Sequence, residues 1–153
     1  MITFGEWCWG TSFYHIGSHY GFLFFQVSSF ILQSTNGSMS IMLDSGKCFV
    51  GLDDGVRDGG VQERVHLSNE LGHCVTRSFY YIYAAVECRQ RYENRADKWA
   101  VTALIPVDTL DDAVADGCTE VWELAERFQV TEEFVRKAVC WYVHGNMAAE
   151  LYF

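Results

Sequence analysis

Glu70 and His73 stand in the nonapeptide HLSNELGHC, residues 66 to 74, three positions apart. That is the spacing of the glutamate and second histidine in H-E-x-x-H. On a helix, residues four apart share one face, with Cβ atoms about 5–6 Å apart. Two histidines so placed can hold one Zn²⁺, and a glutamate directly after the first can take the proton of a metal-bound water. Here Asn69 occupies the first histidine's position. A carboxamide oxygen is a much poorer zinc donor than an imidazole nitrogen. A third ligand must come from elsewhere in the chain, and Glu93 is the best candidate. Asp97, one turn further on, can supply an oxygen or hold a ligand in place. His66 is rejected as a replacement ligand. It lies two turns before His73, about 10.5 Å along the axis, too far for both to meet one ion. E-x-x-H also arises by chance, and a single helical histidine more often sits at a surface or in a satisfied core, so the motif alone is a weak signal.

These residues need helices to carry them, and the sequence supplies several. SMSIML, DSGK and CFVGL read as strand, turn and strand, with Asp44, Ser45 and Gly46 providing the turn chemistry. DDGVRDGG, residues 53 to 60, is a loop, and a helix is expected from about Val61 to Val75. Gly72 inside that helix costs about 1 kcal/mol relative to Ala, which predicts a neighbour packed closely against it. Residues 77 to 92 are ambiguous, aromatic at the start and helical towards the end. SFYYIY within them reads as core or edge-strand packing rather than as a specificity pocket. Residues 92 to 105 read as a helix, with Ala96, Trp99, Ala100, Ala103 and Leu104 on one face and Pro106 ending it. Three shorter helices follow, with Asp108, Thr119 and Thr131 as expected N-caps. The class is therefore α+β: a small β-hairpin packed on a mainly helical domain. Residues 1 to 36 carry one charged residue, Glu6, and no clean periodicity. A buried strand-and-loop layer, a partner-binding arm and translated sequence upstream of a natural start are all open for them.

Composition narrows the function classes. Of 153 residues, 50% are hydrophobic and 16% aromatic, enough for a real core. The net charge of −9 repels phosphate backbones and anionic membranes, so neither nucleic acid nor membrane is an expected partner. ELAERFQVTEEFVRKAV has a helix-turn-helix pattern, but its second helix opens with Glu132 and Glu133. From Asp108 to Glu133 there are nine acids and one base, Arg127. Packing or protein docking fits that surface better than DNA. The basic cluster Arg89, Arg91, Arg95 and Lys98 reads as a solvated helix face paired with nearby acids. Six cysteines without a C-x-x-C pair, and no convincing secretion signal, predict reduced, mostly buried thiols in a cytoplasmic protein, with Cys74 buried and inert.

Several of these segments together resemble the ImmA/IrrE family of zinc metallopeptidases, carried by phages and integrative elements. The resembling residues are ERVHL-NELGHC at 63 to 74 apart from Ser68, SFY at 78 to 80, ENRADKWA at 93 to 100, LIP at 104 to 106 and ELAERFQVTEEFVRKA at 123 to 138. They recur in the family's order. The resemblance divides the chain into an uncertain segment, 1 to 36, and a zincin-like domain, 37 to 153, ending in helix-turn-helix-like helices. It implies His73 and Glu93 as surviving metal ligands, Glu70 as general base and Asn69 in the first ligand's place. It further implies a weakened zinc site and a helix-turn-helix repressor as the protein substrate. A non-catalytic module that keeps the scaffold and binds such a partner is the alternative.

Overall fold

The computed structural model describes residues 2–4, 11–16, 23–28, 37–44, 48–56, 59–81 and 83–152. Three strands, β1 (Ile2–Phe4), β2 (Thr11–Ile16) and β3 (Leu23–Ser28), form an antiparallel sheet in that order. Strands therefore occupy part of the segment that the sequence left open. Cys8 and the turn residues Ser45 and Gly46 lie outside the described residues.

The expected hairpin forms from β4 (Met39–Met42) and β5 (Cys48–Gly51), antiparallel with Met39 opposite Gly51 and Met42 opposite Cys48. Five α-helices follow among the described residues. They are α1 (Val61–Thr76), α2 (Val86–Leu104), α3 (Val107–Ala115), α4 (Val121–Phe128) and α5 (Glu132–His144). The fold class is α+β, as the order of strand and helix patterns predicts.

Two clusters of buried side chains set the frame. Val50 of β5 packs with Leu67, Leu71 and Cys74 of α1, fixing the hairpin to the first helix. The larger cluster joins the end of α2 to α3, α4 and α5 through Val101, Ile105, Leu110, Leu124, Phe134 and Val135. Trp99 is packed against both. Tyr142 adds a polar tie, its hydroxyl donating to the Ile105 carbonyl at 2.7 Å.

Several local expectations change. Helix α2 begins at Val86, six residues before the expected start. The residues of SFYYIY that are described form a loop rather than a strand: Ser78 is fully buried and Phe79 packs on the cluster of Val50, Leu67, Leu71 and Cys74, while Tyr81 and Tyr83 are 87% and 92% exposed. The N-cap of α3 is Pro106, with Asp108 inside the first turn. The N-cap of α4 is Glu120, and the carboxylate of Glu123 accepts from the backbone N–H groups of Thr119 and Glu120. Both acids still lie where the helix dipole favours negative charge. Thr131 caps α5 as expected, accepting from the Phe134 N–H at 3.2 Å.

The expectation of reduced thiols fails at one pair. Cys48 of β5 and Cys74 of α1 form a disulfide, with Cα atoms 5.9 Å apart. The packing of hairpin on helix brings together two cysteines whose separation of 26 residues signals nothing in sequence. Cys140 is buried in the core and Cys88 is exposed. Two residues of the basic face of α2 meet aromatic rings. Lys98 lies over the Trp141 ring at 4.5 Å and Arg95 over the Tyr92 ring at 6.0 Å.

Candidate metal centre

Helices α1 and α2 bring the predicted residues face to face. They approach tightly at Gly72, where an added Cβ would stand 2.5 Å from the Ala96 carbonyl oxygen. The neighbour expected beside this glycine is thus the α2 backbone. Ala96, fully buried, completes the contact.

One turn along this seam, the Nε2 of His73 lies 3.3 Å from the Oε2 of Glu93. The other face of the ring is fixed as well. At the end of α1, Arg77 adopts a left-handed conformation (φ 53°), and the N–H of Ser78 returns to the His73 carbonyl at 3.0 Å. That reversal places the Ser78 carbonyl 2.7 Å from His73 Nδ1, which must donate to it. A neutral His73 therefore carries its proton on Nδ1 and presents the lone pair of Nε2 to Glu93. This is the orientation a metal-ligating histidine needs.

Charge at the site follows from burial and these contacts. Burial opposes the charged form of His73. Hydrogen bonding to Glu93 and Ser78, with the fields of Glu93 and Glu70, outweighs it and holds the imidazole above its ordinary value. Hydrogen bonding to His73 and Tyr80 holds Glu93 below its own, against burial. Glu70 is only 8% exposed, and burial raises its pKa although a Ser40 hydroxyl and His73 favour the carboxylate. The result is a buried acid next to an imidazole–carboxylate pair.

Asn69 is held differently. Its Nδ2 donates to Asp97 Oδ1 at 2.8 Å, and the other oxygen of Asp97 accepts from Lys137 Nζ of α5 at 2.9 Å. Of the two roles open to Asp97, it takes that of supporting the residue at position 69. A cavity of about 260 Å³ opens between α1, α2 and α5, with Asn69, Glu93 and Asp97 among its walls and His66 and Lys137 alongside.

His73 and Glu93 offer two of the donors that a zinc site would need. Two donors bound at 2.0–2.2 Å to a tetrahedral ion stand about 3.3–3.5 Å apart, and His73 Nε2 and Glu93 Oε2 are 3.3 Å apart. The donor types, imidazole and carboxylate, are those zinc accepts. Among the described residues, no three His, Cys, Asp or Glu side chains form a group able to hold a metal. The first-ligand position supplies an amide instead.

Sequence reasoning missed three contributors. Tyr80 donates its hydroxyl to Glu93 Oε1, Ser40 bonds Glu70, and Ser78 offers a backbone carbonyl to His73. Ser78 and Tyr80 had a signal, as the first and third residues of SFY. Ser40 has no spacing pattern to reveal it. No family model, characterised protein or solved structure matches the chain.

Proposed function

We propose that the chain is a zincin-like metallopeptidase scaffold of the ImmA/IrrE type whose zinc site is impaired at Asn69. The observation that carries this reading is the 3.3 Å approach of His73 Nε2 to Glu93 Oε2, with Nδ1 already bound to a backbone carbonyl. A mere surface ion pair does not need such fixed ring orientation. His73 and Glu93 would hold the ion, and Asp97 supports the residue in the first-ligand place. Zinc bound there supplies a Lewis acid that acidifies water at neutral pH. Glu70, next to the pair and shielded from solvent, would accept the water's proton and pass it to the leaving amine. Its raised pKa suits both steps, since an acid–base group works best near the operating pH.

The proposed substrate is a helix-turn-helix repressor protein. The acidic run from Asp108 to Glu133, on α3, α4 and the start of α5, supports docking of a basic partner. The tie between the Asn69 amide and Asp97 favours a second reading, a non-catalytic module that retains the scaffold and binds the same partner.

Zinc content separates the readings. Parent and Asn69→His protein, dialysed against zinc, are expected to differ in affinity by at least about 100-fold. That is the upper end of what losing a mere supporting partner costs a metal site. The His variant should hold about one zinc per chain. Two zinc-free proteins at saturating metal would end the metal-site reading. Repressor cleavage by the parent, stopped by Glu70→Gln, would instead show that Asn69 does not impair it.

A further inference from the structure

The loop that follows α1 touches both proposed metal ligands. Ser78 and Tyr80 are two residues apart, and each is bonded to a different ligand: the Ser78 carbonyl to His73 Nδ1, the Tyr80 hydroxyl to Glu93 Oε1. Phe79 between them packs on the cluster of Val50, Leu67, Leu71 and Cys74. The loop is thus pinned to the core at its middle residue and presents a polar group to the site from each neighbour.

Tyr80 is placed by more than its hydroxyl. Its ring meets the His73 ring edge-on, with centroids 6.2 Å apart and planes at 66°. It also stacks on Tyr92, which precedes Glu93 on α2, at 6.1 Å and 19°. The ring therefore stands between the two helices that carry the ligands.

A glutamate carboxylate can bind a metal through one oxygen or two, and a long side chain can swing between the two. Here the oxygens are already divided. Oε1 takes the phenol hydrogen, and Oε2 faces the imidazole. We propose that Tyr80 is a positioning residue that would make Glu93 a one-oxygen ligand, with Oε1 held by the phenol and Oε2 left for the ion. This inference rests on the metal-site reading above. It adds a residue that the H-E-x-x-H comparison does not assign, and gives the Ser78-Phe79-Tyr80 loop the task of orienting both ligands.

Cobalt(II) is the probe, because its visible absorption is intense in four-coordinate sites and weaker when a fifth donor binds. Parent and Tyr80→Phe are compared, alone and on the Asn69→His background. Tyr80 is partly exposed and Phe keeps the ring, so folding is expected to survive, with unchanged thermal unfolding of the metal-free chains as the control. Loss of the phenol should lower cobalt affinity about 10-fold, within the usual range for a ligand's supporting partner, and weaken the visible bands as Glu93 turns two-oxygen. Equal affinity and superimposable spectra with and without the phenol would overturn the role of Tyr80 while the metal site stands. Failure of parent and Asn69→His chains alike to bind cobalt would overturn the metal-site reading and this inference with it.

Discussion

Gly72 of α1 rests against the backbone of Ala96 on α2, with no room for a side chain between them. This contact sets the spacing at which His73 and Glu93 meet. Gly72→Ala is therefore expected to destabilise the protein although alanine is the better helix former by about 1 kcal/mol. The added methyl would meet a carbonyl oxygen that cannot rotate away, and overpacking of this kind costs about 1–3 kcal/mol or more. Urea unfolding should give a net loss of about 1 kcal/mol, the middle of what remains after the helix gain. A variant as stable as the parent would mean that the helices part easily at this seam.

Much of the scaffold was legible because it rests on local chemistry. Strand alternation around an Asp-Ser-Gly turn marked the hairpin, the 96–104 apolar face marked the core of α2, and Thr131 marked the start of α5. The approach of His73 to Glu93 was legible in part, because Glu70 and His73 share a helical spacing and Glu93 stands on the next helix with Asp97 one turn on. What escaped depends on tertiary contact. SFYYIY has strand composition, yet Ser78 and Tyr80 turn to His73 and Glu93, and Tyr81 faces water. Arg77 gives no hint of its left-handed turn, since glycine or asparagine is the usual residue there. Lys137 reaches Asp97 across 40 residues, a pairing no sequence window contains.

The Cys48–Cys74 bridge closes a loop over a separation of 26 residues and ties the hairpin to the helix bearing His73. Loop-closure entropy for that length corresponds to about 3.5 kcal/mol of stability. Paired replacement, Cys48→Ser with Cys74→Ser, should lower the free energy of unfolding by about that amount. Treatment of the parent with a thiol reductant should have a similar effect. Mass spectrometry after alkylation would count the thiols released. If reductant leaves both thiol count and unfolding midpoint unchanged, the two cysteines do not form this bridge.

The metal-free protein should be most stable in mildly acidic solution, and the direction follows from three groups. His73 is raised above its ordinary 6.5 by Glu93 and Ser78 despite burial. Its contribution is complete below about 6.5 and disappears as pH rises through the folded value. Glu93 is held below its ordinary 4.5 by His73 and Tyr80. Its contribution is present above about 4.5 and is lost as pH falls through the depressed value. Glu70 is raised from 4.5 by burial, so ionising it costs stability as pH climbs from there through its folded value. The two partners of the pair thus define a window from about 4.5 to 6.5 in which both are charged, and Glu70 tilts its optimum to the acid side. Urea midpoints measured in chelator should fall as pH rises from about 6.5 through the folded value of His73. The His73→Gln variant should lose most of that decline, because the proton whose release weakens the pair is gone. A parent that grows steadily more stable up to pH 8 would show that His73 is not charged against Glu93 in the folded chain.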